Sequence, residues 1–422
     1  MKPHGAQMGM DWDSRAAFYF DPVGWVLDET MPVNNPNVWI FGSPGRGKSA
    51  LVKAIIIRMA YFGVRSLIVG DVKDEYEALC RFFGVEPIAI GQGLANRINP
   101  LELGPLMVGW ESLPTQEQVA RCNTVFARWL TLLRGMVGSQ KIGRSPVPFG
   151  PVEEHAVDYT LKQLTGVADG ASMMRPTTIT QLWRALDEPS PELIGQLRYS
   201  GKQQFIDETR LLRDALGSMV TGALGGLFDQ ETTIKLDWNA PIVSLSLSRL
   251  EGLGEEATGM ALLCLNSWAR AMREASATGD LRIVVRDECW KQMRLGVDAV
   301  KSFDADLRLS RRDGDIQIAI GHKPSDLVSV GDAGSQEAAI AKDLLHLADT
   351  KVLLGQDAQV ADELEQMLGL GEIARNTVTG WARQERGRAL WIVGERMFRV
   401  QTILHWLELN LAWTQGALAG AL

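Results

Sequence analysis

The distribution of apolar and polar residues divides the chain into two kinds of segment. Between residues 37 and 90, and again from about 240 to 400, short apolar runs alternate with longer stretches of helical character. Short apolar runs bounded by turn residues are typical of buried parallel strands, and the stretches between them are typical of covering helices. The alternation therefore predicts a doubly wound fold with a mainly parallel sheet.

The predicted strands share an apolar centre and a glycine or polar residue near their end. They are 37–41, 65–71, 87–90, 241–247, 281–288, 316–322, 351–355 and 389–393. Residues 397–400 follow the last strand across a Gly-Glu-Arg turn, which predicts a hairpin. Residues 18–22 and 25–27 are interpreted as edge strands or as a lead-in that packs against the core.

The strand pattern disappears between residues 107 and 228. Apolar residues recur there at helical spacing, at Val119, Cys122, Val125, Phe126, Trp129, Leu132 and Leu133. Pro151, followed by two acidic residues, starts another helix, and Thr177-Thr178 precede a third. These signals predict an all-helical insertion within the sheet domain.

One stretch carries a specific chemical signal. Residues 42–49 read Gly-Ser-Pro-Gly-Arg-Gly-Lys-Ser, which fits G-x-x-x-x-G-K-[ST] and lies between a predicted strand and a predicted helix. Glycines there let backbone N–H groups surround a phosphate, and the helix adds its positive dipole end. Lys48 would reach the β- and γ-phosphates, and the Ser49 hydroxyl would bind Mg²⁺. The predicted ATP-binding residues are Gly42, Ser43, Pro44, Gly45, Arg46, Gly47, Lys48, Ser49 and Ala50.

Four segments follow from these patterns. They are a lead-in over 1–36, the first half of the P-loop domain over 37–106, the all-helical insertion over 107–235 and the second half over 236–422.

Hydrolysis of a bound nucleotide needs a second carboxylate for the metal and a base that orients water. Asp287 and Glu288 stand at the end of an apolar predicted strand, where polar groups face the ligand crevice of a parallel sheet. Asp287 is predicted to hold Mg²⁺, and Glu288 to polarise the attacking water. Arg286 replaces the apolar residue usual at its position, so it is expected to face a neighbouring subunit or the nucleotide.

Several cations are candidates for sensing or stabilising phosphate charge. Arg311 and Arg312 are either a solvated helix end or an arginine finger that reaches a neighbouring subunit, with Arg312 favoured over Arg311. His322 ends the next strand and is either a γ-phosphate sensor or a structural hydrogen-bonding residue. A late cluster is either a second trans-acting set or ordinary surface: Arg383, Arg386, Arg388 and Arg396.

The net charge, the cysteines and the apolar runs restrict the possible partners and cellular location of the protein. The formal net charge of −8 excludes a surface built as a whole to coat nucleic acid, although a local basic channel is compatible with it. The four cysteines lie far apart without a C-x-x-C, which disfavours a zinc site or a disulfide framework and favours a reducing compartment. With no secretion signal and no apolar run of about twenty residues, the expected location is cytoplasmic, without a transmembrane segment.

Further runs follow the P-loop in a characteristic order. They are Gly-Asp-Val-Lys-Asp-Glu-Tyr at 70–76, Ile-Asn-Pro-Leu at 98–101, Gly-Gly-Leu-Phe-Asp at 225–229, Asp-Glu-Cys-Trp at 287–290 and Gly-His-Lys-Pro-Ser-Asp-Leu at 321–327. Their order and spacing resemble those of the ATPases of conjugation and type IV secretion, the VirB-four/TraC branch of the HerA–FtsK superfamily. The last run is similar to versions from actinobacterial conjugative elements.

The resemblance implies an α/β, RecA-like P-loop NTPase fold with a mainly parallel sheet and an all-helical insertion. It also implies a hexameric ring motor that hydrolyses ATP with Mg²⁺ at the cytoplasmic face of the cell membrane. Its partners would be other copies of the chain, a membrane-embedded secretion channel, and transported DNA or protein. Two features depart from the family pattern: His322 replaces the usual Gln, and only about 36 residues precede the first motor strand, where a sizeable N-terminal domain is usual.

Three other functions compete with this interpretation. A DNA pump, like coupling proteins or FtsK-type translocases, needs basic residues in a ring pore, for which Lys291, Arg294 and Lys301 are candidates. A small-molecule kinase or GTPase could use the insertion as a lid, but no Asn-Lys-x-Asp guanine signature occurs. A non-hydrolysing scaffold is disfavoured because the P-loop lysine and the acidic pair are intact.

Overall fold

The computed structural model describes residues 5–91, 93–107, 109–143, 145–170, 173–222, 224–234, 237, 239–275, 280–293, 297–323, 325 and 336–412. The chain forms two compact units. The first comprises Met1–Pro87, Asn239–Ser244 and Ala277–Leu422, and the second comprises Ile88–Trp238 and Leu245–Ser276. We call them the sheet unit and the helical unit.

The strands are short and follow one another along the whole described chain. They are β1 (Ala6–Asp11), β2 (Ala17–Phe20), β3 (Val38–Phe41), β4 (Arg65–Asp71), β5 (Ile88–Ala89), β6 (Lys141–Ile142), β7 (Ser145–Pro146), β8 (Ile242–Ser246), β9 (Arg282–Arg286), β10 (Asp315–Gly321), β11 (Thr350–Leu354), β12 (Arg388–Val393) and β13 (Arg396–Thr402).

The α-helices are α1 (Pro22–Leu27), α2 (Lys48–Ala60), α3 (Glu77–Phe82), α4 (Thr115–Ser139), α5 (Pro151–Thr165), α6 (Ile179–Asp187), α7 (Pro191–Gln196), α8 (Lys202–Glu208), α9 (Arg210–Thr221), α10 (Glu255–Ala275), α11 (Cys289–Met293), α12 (Val297–Asp313), α13 (Gln336–Leu344), α14 (Ala358–Leu368), α15 (Glu372–Asn376), α16 (Ala382–Gln384) and α17 (Trp406–Ala412). A π-helical turn, Thr377–Trp381, joins α15 to α16. Short 3₁₀ turns lie at Gly104–Met107, Trp110–Ser112, Val167–Asp169, Ser248–Leu253 and Leu345–Leu347.

The sheet unit is organised around β3. Its strand order is β2-β1-β13-β12-β11-β3-β10-β9-β4-β8. β3 pairs in parallel with β10 on one side and with β11 on the other, and β9 pairs in parallel with β10 and β4. The pairs from β11 through β12, β13 and β1 to β2 are antiparallel. The predicted mainly parallel sheet and the C-terminal hairpin are therefore confirmed.

Both faces of this sheet are covered, which explains its continuous apolar strands. Successive residues of β3 point to opposite faces. Val38 and Ile40 belong to the core that includes the apolar residues of α2, while Trp39 and Phe41 belong to the core that includes those of α12, α13 and α14. All seven positions of β10 are buried, consistent with a central strand.

The start of the chain differs in part from the sequence interpretation. Residues 18–20 lie in β2 at the sheet edge, as expected. Residues 25–27 instead belong to α1, because the Asp21 side chain accepts a hydrogen bond from Gly24 N and Pro22 occupies the first turn. β1 was not predicted. It has few β-branched residues, and it is stabilised by pairing with β13, far away in sequence.

The helical unit contains the predicted insertion over 107–235 and, in addition, β5, the 3₁₀ turn at Ser248–Leu253 and α10. α4 packs against α10, and α6 packs against α9. α6 begins at a capping box in which Thr178 and Gln181 satisfy each other's backbone groups. The unit also contains two features that are not helical: β6 pairs with β7, and β5 pairs in parallel with the end of β8. The Asn99 amide donates to Thr177 O at 2.7 Å, which gives the Asn-Pro-Leu run a structural role.

Arg286 does not face a neighbouring subunit or the nucleotide, so that expectation is wrong. Its side chain is buried in the sheet unit and forms an ion pair with Asp306 on α12, with Nη2 2.7 Å from Oδ2. Its Nε donates to Gln317 Oε1 at 3.2 Å, and its guanidinium lies 4.8 Å from the Phe303 ring centroid. The guanidinium therefore compensates a buried carboxylate in the core.

Arg286→Met should lower the free energy of unfolding by about 3–5 kcal/mol, because it removes the buried guanidinium that pairs with the buried Asp306 carboxylate. Arg308→Met is the matched control, since Arg308 pairs with Asp304 on the same helix but is exposed. That variant should lose at most about 1 kcal/mol. Urea unfolding measures both, and equal losses would contradict a buried uncompensated charge as the cause.

Candidate nucleotide-binding and catalytic site

The P-loop connects the carboxyl end of β3 to the first turn of α2. Gly45 and Gly47 adopt φ angles of +75° and +102°, a region that side chains with a Cβ rarely occupy. A Cβ on Gly42 would lie 2.9 Å from the Leu354 Cβ. Since α2 begins at Lys48, the loop ends at a helix N-terminus, where unpaired N–H groups and the helix dipole favour an anion.

A buried glutamine ties the loop to its neighbouring strands. The Ser43 hydroxyl donates to Gln356 Oε1 at 3.0 Å, and Gln356 Nε2 donates to His322 O at 3.3 Å. Ser43 N also donates to Gly355 O at 3.2 Å. Gln356 is not among the residues predicted from the sequence, although a polar residue soon after an apolar strand is a signal for such a position. It links the ends of β10 and β11 to the start of the P-loop.

A cavity of about 440 Å³ opens beside the P-loop within the sheet unit. Its polar lining includes Lys48, Ser49, Lys73, Glu75, Asp287, Glu288, His322 and Arg386. Leu404 and Leu409 contribute apolar surface. The structure thus brings together the predicted P-loop, the acidic pair and His322, which lie far apart in sequence.

His322 lies between the P-loop lysine and the acidic pair. Lys48 Nζ is 3.1 Å from His322 Nδ1, and His322 Nε2 is 3.1 Å from Glu288 Oε1. An ammonium group has only donors, so Nδ1 accepts from Lys48 and Nε2 donates to Glu288. Lys48 also donates to Gly42 O at 2.6 Å, and burial lowers its pKa despite the charges of Asp287 and Glu288.

Glu288 accepts hydrogen bonds on both carboxylate oxygens. Oε1 accepts from Lys73 Nζ at 2.5 Å as well as from His322, and Oε2 accepts from Trp290 Nε1 at 2.6 Å. Burial alone would raise its pKa, but the hydrogen bonds from His322 and Lys73 hold the pKa of Glu288 well below its usual range. Glu288 also has φ of +49°, an uncommon conformation of the kind found at functional sites.

Asp287 is adjacent in sequence but has the opposite shift. Its Oδ2 accepts from Tyr76 Oη at 3.2 Å, and its Oδ1 accepts from Glu288 N at 2.9 Å. Burial, together with the charges of Glu75 and Glu288, raises the pKa of Asp287 to about 7. The two neighbouring carboxyl groups therefore differ strongly in how readily each gains a proton.

The run at 70–76 supports this pair from β4. Asp71 accepts hydrogen bonds from Glu75 N and Tyr76 N, both at 2.8 Å, which fixes the turn after the strand. That turn presents Lys73 to Glu288 and Tyr76 to Asp287. The Gly-Asp-Val-Lys-Asp-Glu-Tyr run thus has a physical role that the sequence did not define.

The chemistry of the donor set fits a magnesium ion. Ser49 and Asp287 both line the cavity, and they offer a hydroxyl and a carboxylate oxygen. Within the described ranges, no group of three or more His, Cys, Asp or Glu residues could hold a metal. One or two protein oxygens, completed by phosphate oxygens and water, is the coordination that Mg²⁺ usually has.

Arg311 and Arg312 lie outside this cavity. They end α12 just before β10, and so stand at the amino end of a strand whose carboxyl end faces the P-loop. Arg311 Nη1 donates to Asn34 O at 3.3 Å, and the Arg312 side chain is 72% exposed while pairing with Asp313. Their role on a neighbouring subunit stays a prediction.

The four late arginines do not form one set. Arg386 lines the cavity. Arg383 pairs with Asp357 at 3.0 Å, and its carbonyl accepts from the Arg46 guanidinium. Arg388 lies over the rings of Trp12 and Trp381, and Arg396 donates to Thr30 O.

The remaining predicted residues are the three pore candidates and the last motif, and the structure describes only some of them. Lys291 is half-buried and Lys301 is exposed. A single copy of the chain does not define a ring pore, so their place in a pore stays a prediction. Arg294, together with Pro324, Asp326 and Leu327 of the last motif, lies outside the described residues.

The strand order and the P-loop together define the RecA-like fold of P-loop NTPases. Among solved structures, VirB4 of Thermoanaerobacter pseudethanolicus is similar, with a TM-score of 0.70, 18% identity, and coverage of 97% of this chain and 99% of that chain. The unbound bacterial conjugative coupling protein TrwB has a TM-score of 0.61 at 13% identity, covering 98% of this chain and 92% of that chain. TrwB in complex with ADP and Mg²⁺ has a TM-score of 0.61 at 14% identity, with coverage of 98% and 94%.

No protein-family model matches the sequence, and no curated protein matches it. At these low identities the structural likeness establishes the fold. The RecA-like fold implied by the motif resemblance is confirmed over nearly the whole chain.

Asp71→Asn should remove a pH dependence of stability. Burial raises the pKa of Asp71 from 3.8 to about 6, so the folded state binds the proton more tightly than the unfolded state. The free energy of unfolding therefore falls as pH rises between these values, by up to about 3 kcal/mol. Chemical denaturation from pH 4 to 7 should show the wild-type minus variant difference decreasing with pH. A constant difference would contradict the assignment.

Proposed function

We propose that the protein is a Mg²⁺-dependent ATPase that works as a ring motor of a conjugative or type IV secretion apparatus. The observation that carries the proposal is that His322 contacts both Lys48 and Glu288 within one cavity beside a P-loop. It connects the residue type that binds terminal phosphates to the residue type that activates water.

Each residue has a defined task in this proposal. The P-loop N–H groups and Lys48 bind the β- and γ-phosphates. Ser49 and Asp287 would hold Mg²⁺, which when bound neutralises phosphate charge. Glu288 orients and polarises the attacking water. His322 couples Lys48 to Glu288, because one ring nitrogen contacts the lysine and the other contacts the glutamate.

The structural neighbours support both a nucleotide as the substrate and conjugation as the process in which the protein acts. TrwB has been crystallised with ADP and Mg²⁺, with a non-hydrolysable GTP analogue and with a non-hydrolysable ATP analogue. TrwB is described as a conjugative coupling protein. For this chain we infer partners in a membrane-embedded channel and a place at the cytoplasmic face of the membrane. Among the described residues, no helix is both long enough and apolar enough to cross a bilayer.

A DNA-translocating ATPase is the second candidate, and the similarity to a coupling protein favours it. The net charge of −8 argues against broad contact with DNA, but a basic ring pore would satisfy both observations. DNA-stimulated ATPase activity, measured together with particle size by light scattering with and without nucleotide, distinguishes a DNA pump from a motor that does not act on DNA.

Lys48→Ala should abolish ATP hydrolysis because it removes the phosphate-binding ammonium. Glu288→Gln should still bind ATP but reduce its turnover by at least about 100-fold, because the amide cannot act as a base. A phosphate-release assay gives turnover, and equilibrium binding of ATP gives affinity. Normal turnover in Glu288→Gln would refute the assignment of the base.

A ring with an arginine finger makes a separate prediction. Arg312 is exposed and lies outside its own chain's cavity, so it would act on a neighbour. Mixing inactive Arg312→Ala with inactive Lys48→Ala should recover part of the ATPase activity, because mixed rings contain some intact shared sites. A mixture that remains inactive, under conditions where light scattering shows mixed assemblies, would exclude Arg312 as the finger.

A further inference from the structure

We propose that Lys73 is a second triphosphate-binding lysine, which holds the base Glu288 until a γ-phosphate draws it away. This inference rests on the proposed ATPase function and assigns a residue that the P-loop motif does not contain. Lys73 lies in the turn after β4 and lines the same cavity as Lys48.

The ion pair between Lys73 and Glu288 joins a half-exposed side chain to a buried one. Lys73 Nζ lies 2.5 Å from Glu288 Oε1, and the side chain of Lys73 is 51% exposed whereas that of Glu288 is 8% exposed. A lysine side chain is a compact charge on a flexible four-carbon stem. Because half of the Lys73 side chain is already in solvent, it can change partner without opening the core.

Lys73 differs from the other two groups that donate to Glu288. Trp290 Nε1 contacts Oε2, and His322 Nε2 shares Oε1 with Lys73. Both of these donors are ring nitrogens. With Lys73 in place, Oε1 accepts from two donors, which leaves it poorly able to accept a proton from water. Departure of Lys73 leaves His322 as the one remaining of these two donors to Oε1, so that Oε1 can accept from water while the two rings still orient the carboxylate.

A γ-phosphate is the ligand whose charge can cause this departure. A terminal phosphate presents more negative charge and more acceptor oxygens than one carboxylate, so it competes for an ammonium in the same cavity. ADP lacks that group and would leave Lys73 on Glu288. The base is therefore released only when a triphosphate is bound, which couples substrate recognition to water activation.

The experiment compares affinities for ADP and for a non-hydrolysable β,γ-imido analogue of ATP, measured by isothermal titration calorimetry. In Lys73→Met, the imido analogue should bind about tenfold more weakly, while ADP affinity should change by less than about twofold. Lys73→Arg should keep most of the wild-type preference for the triphosphate, because it keeps the charge. Trp290→Phe is the matched control: it removes a different donor to Glu288, and should leave both affinities near wild type.

The outcomes separate this inference from the proposed function. If Lys73→Met binds both nucleotides like wild type, or loses affinity for both equally, Lys73 is not a γ-phosphate ligand. If Trp290→Phe reproduces the selective loss, the effect comes from disturbing Glu288 and the inference is also wrong. If the wild-type protein neither binds nor hydrolyses ATP, it is the proposed function that fails.

Discussion

The parallel pairing of β3 with both β10 and β11 is the constraint on which the site depends. It aligns the ends of three strands at one edge of the sheet, so that the P-loop, His322 and Gln356 emerge side by side. Gln356 then connects the other two through hydrogen bonds. Strand pairing, rather than any single side chain, therefore determines how far the P-loop lies from His322 and Gln356.

Within that frame, the acidic pair shows how local contacts give neighbouring residues different properties. Glu288 is buried and Asp287 is half-buried, and removal from solvent by itself raises the pKa of each. Glu288 is compensated by cationic and ring donors, whereas Asp287 has a phenol, one backbone N–H and nearby negative charges. Glu288 is therefore held in its ionised form, whereas Asp287 gains a proton more readily. This division follows the general rule that environment assigns roles to paired carboxyl groups.

Much of the fold could be read from the sequence because its signals are local. The glycines of the P-loop, the apolar strands and the Thr178 cap each depend on residues close in sequence. The missed features depend on distant partners: β1 needs β13, and Arg286 needs Asp306. A charged residue at the end of a strand looks the same in sequence whether it faces a ligand or a buried carboxylate. Lys73 and Gln356 were missed for the same reason.

The cavity also constrains the order in which parts of the protein can assemble during synthesis on the ribosome. Its P-loop lies near residue 45, but Arg386, Thr402 and Leu404 complete the cavity wall. α17 packs against α2, and Lys53 Nζ donates to Leu411 O at 3.1 Å. A nascent chain that has emerged from the ribosome only as far as the helical insertion lacks these elements. The cavity can therefore be completed only after translation has passed the hairpin of β12 and β13, and the contacts required join residues that are far apart in the chain.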